Sequence, residues 1–493
     1  MEFALLLTDE SNITPVSRES LVGSLPAVGT DSAFSEALRR RILESGVKVV
    51  AVDDDPTGCQ TVHDVPLLLE WTVEALEEGL CDPAPALFVL ANTRAMPPAA
   101  AADVNRQIAR RLKEAAGRTG RRFVALSRSD STLRGHFPLE PDILGEELGP
   151  FDGVLIAPCF FEAGRYTVHG IHWVAQGDML VPAAQTEFAR DPAFGFSHSY
   201  LPAWVEEKTG GRWRASDVLV LDVGRVRAEG PAYVTERLMG IEDGRPVVVD
   251  AVEYADLEQV VAGLLEAEAR GKRFLYRTGA SFLRVRAGIA PRPLLTRQEL
   301  LDAQAPAVGL VAVGSFVPRS TRQLGRLLAW SAAAGVELPV EPLLTHEREA
   351  VIAQVVEAAC ESAFAGNVPV IYTSRSLRVG GSPEESLAIM ESASLALVEA
   401  VRGVLSRAPA DFVVAKGGIT SHELAQRALG ARRTRVLGQI APGVPVWRIT
   451  RAGEESRALK LSPGAPYVVF PGNVGDEGTL LDVVRLLRGE PAG

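Results

Sequence analysis

Short aliphatic runs separated by long stretches rich in Ala, Leu, Glu and Arg constrain this chain more than any other feature. The runs VKVVAVD (47–53), ALFVLAN (86–92), RFVALS (122–127), GVLIAP (153–158), VLVLDV (218–223), RPVVVDA (245–251) and RFLYRT (273–278) have the length and β-branched content of strands. Segments 98–117 and 254–270 have the composition of helices. Strands alternating with helices predict α/β layers built on a largely parallel sheet. Between Arg284 and Pro306 the chain is dense in Pro and charge and has no apolar period, so a boundary is expected there. The alternation then restarts with strands at 307–315, 368–374 and 411–418, separated by helical stretches over roughly 345–365 and 383–407. The expected organisation is an N-terminal extension (1–40), an α/β domain (41–285), a linker (286–306) and a second α/β domain (307–493), with an active-site cleft between the domains. No fixed-period repeat points to a solenoid.

With 493 residues and 47% hydrophobic content, the chain can bury a core large enough for two domains. Its net charge of −11 argues against a nucleic-acid partner, because phosphate backbones are held mainly by Lys and Arg. The four cysteines, Cys59, Cys81, Cys159 and Cys360, show neither CxxC nor Cys/His ligand spacing, which suits reduced thiols in a cytoplasmic protein. The opening MEFALLLTDESN lacks a basic segment before its short apolar run, and no stretch offers about 18 uninterrupted apolar residues. Neither export nor a membrane partner is expected.

In open α/β sheets ligands bind beyond the carboxyl ends of strands, so the residues following each run are the informative ones. The first strand runs into DDDPTGCQT (53–61). The three consecutive acids there, 53–55, could orient a hydroxyl, accept its proton or hold a hydrated magnesium ion; a solvated acidic turn is the plainer alternative. The third run leads into SRSDSTLRGHFPLE (127–140), where Asp130, Ser131, Thr132 and Arg134 crowd together beside Gly135. Arginine matches a carboxylate through its planar fork, so this group suits a small hydroxy acid, unless it is a capped helix start carrying a surface ion pair. A third loop, APCFFEAGRYTVHGIHW (157–173), adds Glu162, Arg165 and Thr167, and its His169 and His172 are read as polar wall or core, not as zinc ligands.

The second half ends its strands differently. VAVGSFVPRSTRQL (311–324) offers Gly314 and Ser315, AKGGITSHE (415–423) offers Gly417, Gly418, Thr420 and Ser421, and VFPGNVGDEGTLLDVV (469–484) offers Gly472, Asn473, Gly475 and Gly478. Backbone N–H groups at glycine turns and helix starts bind phosphate oxygens well, although a tight strand-to-helix turn also favours glycine on steric grounds alone. There is no GxxxxGK[ST] loop, and no GxGxxG follows the first strand.

These stretches resemble the four-carbon acid sugar kinase family. DDPTG (54–58), DSTLRG (130–135) and APCFFEAGRYTVHG (157–170) are similar to its substrate segments, and VGS (313–315), KGGITS (416–421) and PGNVG (471–475) to its nucleotide loops, in the right order over about 420 residues. The departures are Arg128 where many relatives carry Lys, Ile419 where many carry Asp, and FPGNVG in place of a lysine-containing stretch. The resemblance implies a sugar-acid-binding domain followed by a nucleotide-binding domain, and transfer of phosphate from ATP, with Mg2+, to a hydroxyl of a tetronate or 3-oxo-tetronate. It implies catalytic roles for Asp54 and Asp55, without choosing the base. Substrate contacts are implied for Thr57, Arg128, Asp130, Ser131, Arg134 and Arg165, and nucleotide contacts for Ser315, Gly417, Gly418, Thr420, Gly472 and Gly475. Metal ligands stay open, and a homo-oligomer is compatible with the reading. Two rivals are a noncatalytic acid-sugar sensor, which should show eroded glycine loops, and a dinucleotide-dependent sugar-acid oxidoreductase, which needs the missing fingerprint.

Overall fold

The computed structural model describes residues 10–29, 31–302, 306–375 and 382–490. Residues 1–9 of the expected extension and 303–305 of the expected linker lie outside the described residues. The chain divides into two compact units, Met1–Thr61 with Trp71–Pro291, and Val62–Glu70 with Arg292–Gly493.

The first unit is built on strands in the order Leu219–Leu221, Arg245–Val249, Gly153–Ala157, Phe274–Thr278, Phe123–Arg128, Lys48–Asp53 and Ala86–Leu90, every neighbouring pair parallel. Every residue of the Lys48–Asp53 strand is buried. Parallel strands covered on both faces read as unbroken apolar runs, which is why these were visible in the sequence. The covering helices include Pro98–Thr119, which starts on Pro98 and buries Ala101, Ile108, Leu112 and Ala115, and Tyr254–Ala269. Part of the expected extension is an edge element: Val16–Ser17 pairs with Met179–Pro182 in a small antiparallel sheet that also holds Ile171–Gln176 and Arg165–Val168. From the Lys48–Asp53 strand the chain of this unit goes first to Ala86–Leu90 on one side and then to Phe123–Arg128 on the other. That reversal is a topological switch point, flanked by Asp53 and Arg128.

The second unit orders its strands Val65–Leu68, Ala431–Ala441, Val444–Ala452, Pro466–Phe470, Phe412–Lys416, Gly309–Val313, Val368–Thr373 and Ala333–Leu338. The last five are parallel, and the first three pair antiparallel. The outermost strand, Val65–Leu68, comes from far upstream and aligns Leu68 with Arg433. Val311, Val313, Val370, Phe412, Val468 and Phe470 form the centre of this core, joined by Leu295 and Leu300. A fully buried side chain such as Phe412 contributes about 1.5–3 kcal/mol. Here too the strand order reverses: Gly309–Val313 is followed by Ala333–Leu338 and Val368–Thr373 on one side, then by Phe412–Lys416 on the other. Gly314 and Gly417 flank this second switch point. Among the described residues no helix is long and apolar enough to cross a membrane, and the four cysteines are free.

Candidate functional site

At the first switch point the three acids meet three different environments. Asp53 is fully buried with Oδ2 unpartnered; burial pushes its carboxyl well above the usual range, against the opposing pull of Arg128. Gly58 has to be glycine, because a Cβ there would run into the Asp53 carboxyl group. Asp54 is also buried and accepts from Arg94 Nε at 3.2 Å and Ser129 Oγ at 3.0 Å. Asp55 accepts from Thr57 N at 2.8 Å and from the Thr57 hydroxyl, and faces Arg94 Nη1 at 3.4 Å. The acids are therefore not a solvated turn but a clamp around Arg94.

Across the switch point, Asp130 accepts from Arg134 Nε at 2.7 Å and from the Thr132 hydroxyl. Burial alone would raise the Asp130 carboxyl, but Arg134 and then Arg94 outweigh it and hold it well below the usual range. The guanidinium carbons of Arg134 and Arg165 both lie over the Phe188 ring, 5.2 and 5.5 Å from its centroid. Arg165 donates to the Ala163 carbonyl and keeps a buried Nε without a partner. Arg128 is turned onto backbone: Nε donates to Gly58 O at 3.0 Å and Nη1 to Ser129 O, so it braces one loop against the other. The Ser131 carbonyl accepts from His172 Nε2 at 2.7 Å, while Thr167 Oγ1 meets Nδ1 at 3.1 Å. Burial lowers the pKa of His172 to about 4, so it is a neutral peg beneath the loop. His169 instead pairs with Asp222 at 2.9 Å. Among the described residues no group of three His, Cys, Asp or Glu could hold a metal.

Three members of this cluster were missed in the sequence. Arg94 follows the Ala86–Leu90 strand. Glu140, beside the Thr93 hydroxyl, is pushed up to about 7 by burial and then by the Asp54 charge. Arg277 is fully buried over Trp204, donates Nη2 to Ser129 Oγ at 3.2 Å and leaves Nε and Nη1 without a partner among the described residues; burial lowers it to about 10. An arginine inside the apolar run RFLYRT was the available signal. Neither Arg165 nor Arg277 has an ion pair among the described residues, which leaves buried positive charge able to receive an anion.

The second switch point gathers three bare strand ends, because the Gly309–Val313, Phe412–Lys416 and Pro466–Phe470 strands are neighbours. Ser315 N donates to Lys416 O at 3.3 Å, and Gly417 N to Phe470 O at 2.8 Å. Ser320 Oγ links Ser315 Oγ at 3.0 Å to Gly472 O at 3.1 Å. Gly417 has φ +118°, and a Cβ on it would approach Ser315 Cβ to 3.0 Å and Thr420 Oγ1 to 3.1 Å. The glycines thus let the loops approach closely, and the Ser320 hydroxyl ties them together. Gly418 opens the short Gly418–Glu423 helix, Thr420 is buried in it, and Gly475 closes the third loop against Thr479. Arg375 escaped notice in the sequence, and Lys416 was quoted within KGGITS without a role of its own. Lys416 Nζ donates to Pro471 O at 2.5 Å and Gly472 O at 3.2 Å. Burial, followed by Arg319, lowers its amine to about 7. Arg375 Nη2 donates to Ser315 O at 2.6 Å and Thr321 Oγ1 at 2.8 Å.

Fold and site together define a two-unit α/β protein with one switch point lined by charged side chains and one by bare backbone. The family profile described as a sugar-binding N-terminal domain matches residues 49–286, and that of a nucleotide-binding C-terminal domain matches residues 310–480. The chain belongs to the four-carbon acid sugar kinase family. It is 26% identical over 456 residues to a D-threonate kinase of Bordetella bronchiseptica, covering 90% of this chain and 98% of that one. It is 28% identical over 392 residues to a 3-oxo-tetronate kinase of Cupriavidus necator, covering 74% and 79%. A solved Haemophilus influenzae structure aligns with a TM-score of 0.57 at 19% identity, over 89% of this chain and 99% of its own. One from Salmonella typhimurium LT2 gives 0.62 at 18%, over 88% and 98%. At these identities the two structures speak for the fold alone.

Proposed function

We propose that this protein transfers the γ-phosphoryl group of ATP to a hydroxyl of a four-carbon sugar acid of the tetronate or 3-oxo-tetronate type. The observation that carries this reading is that buried guanidinium nitrogens of Arg165 and Arg277 have no hydrogen-bond partner or ion pair among the described residues, at the same switch point as Asp54 and Asp55. A small carboxylate would satisfy them. Arg165, Arg134 and Ser131 would receive the carboxylate and hydroxyls, Asp130 and Thr132 would hold Arg134 in place, Thr57 would steady Asp55, and Arg128 would brace the loop. Asp55, with 21% of its side chain exposed against 1% for Asp54, is the accessible base, and Asp54 fixes Arg94. In the transfer the substrate oxygen bonds to the γ-phosphorus as the bond from that phosphorus to the bridging oxygen of ADP breaks, and the hydroxyl proton passes to Asp55. Positioning and charge neutralisation supply most of the catalysis in such a reaction. Ser315, Gly417, Gly418, Thr420, Gly472 and Gly475 would hold the phosphates through their backbone and hydroxyls.

The described residues offer no three-ligand metal cage, so magnesium would be held chiefly by the nucleotide phosphates and water. The ion would supply charge neutralisation. The relatives named D-threonate kinase and 3-oxo-tetronate kinase set the substrate panel. ADP release is measured with each four-carbon sugar acid, and ATP-dependent turnover on at least one is expected. Tight binding of an acid without turnover would instead identify a sensor.

A further inference from the structure

We infer that Arg375 contacts the terminal phosphate of the nucleotide, a role that no motif in the sequence announces; this rests on the nucleotide reading of the second unit. Phosphoryl transfer spreads negative charge over the oxygens of the moving group, and a charged donor makes roughly twice as strong a hydrogen bond as a neutral backbone N–H. The glycine loops themselves bring no charge, so a cation has to come from nearby.

The cations of these loops are largely committed. Lys416 is turned onto the Pro471 and Gly472 carbonyls and lies 4.1 Å from the centroid of the Phe470 ring. Arg319 Nη1 donates to Asn473 O at 3.0 Å and Gly475 O at 3.1 Å. Arg322 pairs with Glu477 at 2.9 Å. Arg375 differs. It follows the Val368–Thr373 strand, whose Tyr372 is in register with Val313, so it comes to lie beside Gly314 and Ser315. Its Nη2 is anchored on Ser315 O and Thr321 Oγ1, while Nε and Nη1 are buried without a partner among the described residues. It makes no ion pair among the described residues, and the nearby Glu337 accepts from Ser374 Oγ at 2.9 Å. Buried N–H groups without acceptors are costly, and a phosphate oxygen would satisfy them. The double anchor on one nitrogen fixes the guanidinium in advance, which is how a preorganised donor stabilises developing charge.

The test uses the full-length protein with Arg375→Ala and Arg375→Lys. Calorimetry with ADP and with a non-hydrolysable ATP analogue is paired with turnover on the best acid. Arg375→Ala is expected to lower kcat about 10²-fold or more, to weaken the analogue at least about tenfold more than ADP, and to regain part of its activity with added guanidinium ion. Arg375→Lys should recover part of kcat. Equal loss of affinity for ADP and the analogue would mean that the arginine only supports the Ser315 loop, and would overturn the proposal. So would turnover within about twofold of wild type in a folded Arg375→Ala protein. If the wild type binds neither nucleotide, the reading of the second unit fails and the assignment of Arg375 fails with it; if it binds both and Arg375→Ala is unaltered, only the arginine's role is lost.

Discussion

The two switch points are the same topological device furnished in opposite ways. At the ends of the Lys48–Asp53 and Phe123–Arg128 strands charged side chains from several loops interlock, among them Asp54, Asp55, Asp130, Arg94 and Arg134, with Arg277 on Ser129 Oγ. At the ends of the Gly309–Val313 and Phe412–Lys416 strands the loops close on one another around Gly314, Gly417 and Gly472, tied by the Ser320 hydroxyl and the Lys416 amine. On the proposed function, a small acid with several hydroxyls would have to be told from its isomers, which takes directed donors and acceptors at fixed positions. A polyphosphate, bulky, anionic and the same in every turnover, would need only dense backbone N–H groups, to which a Cβ is an obstruction.

The contrast breaks most visibly at Asp55. Asp55→Asn keeps the size and loses the charge, so turnover should fall about 10²-fold or more with acid affinity largely kept, measured by ADP release and calorimetry. Full activity in that variant, with Asp54→Asn inactive, would move the base by one residue. Next in size is Gly417→Val. At φ +118° a branched residue is strained and its Cβ meets Ser315, so ATP affinity should drop at least about tenfold while sugar-acid binding persists. Loss of both affinities would show that the two switch points are not separable.

A smaller effect is expected from Arg134→Ala, since Asp130 already holds that guanidinium. The KM for the acid should rise by about tenfold, the equivalent of roughly 1.4 kcal/mol, with the KM for ATP unchanged. The smallest signal concerns stability. His172 has a folded pKa of about 4, below its ordinary 6.5, so the unfolded chain binds the extra proton first. Its contribution is whole above about pH 6.5 and is lost as pH falls toward 4. Glu140 acts in the opposite sense: raised to about 7, it contributes fully below 4.5 and loses that contribution as pH rises. Thermal melts between pH 6.5 and 4 should therefore fall by a few degrees more in wild type than in His172→Asn, and identical slopes would remove His172 as the peg beneath Ser131.

The parts of this fold that were legible in the sequence are those whose signal is local and continuous. The stretches 98–117, 254–270 and 383–407 appear as the helices Pro98–Thr119, Tyr254–Ala269 and Pro383–Arg407 because their apolar faces repeat without interruption. The half-exposed edge strand Ala333–Leu338 and the Ala431–Ala441 and Val444–Ala452 hairpin were not legible, since arginines interrupt the hairpin's apolar pattern and the edge strand is mixed in polarity. The same holds at the sites. DDD and KGG announce themselves by adjacency, whereas Arg94, Arg277 and Arg375 acquire meaning only when folding brings each to a loop from a different strand.

The Val65–Leu68 strand carries a consequence for synthesis. Its partner, the Ala431–Ala441 strand, leaves the ribosome hundreds of residues later, and at about 5–20 residues per second this strand has to remain unpaired with it for tens of seconds. Pro66, which cannot donate a backbone hydrogen bond, makes the waiting segment a poorer template for stray strands. A gene fragment starting at Arg292 would encode a sheet missing its outermost strand, and the open edge of Ala431–Ala441 would be left to find a substitute. Co-expression of such a fragment with a short peptide spanning 62–70 is then the natural route to a soluble second unit.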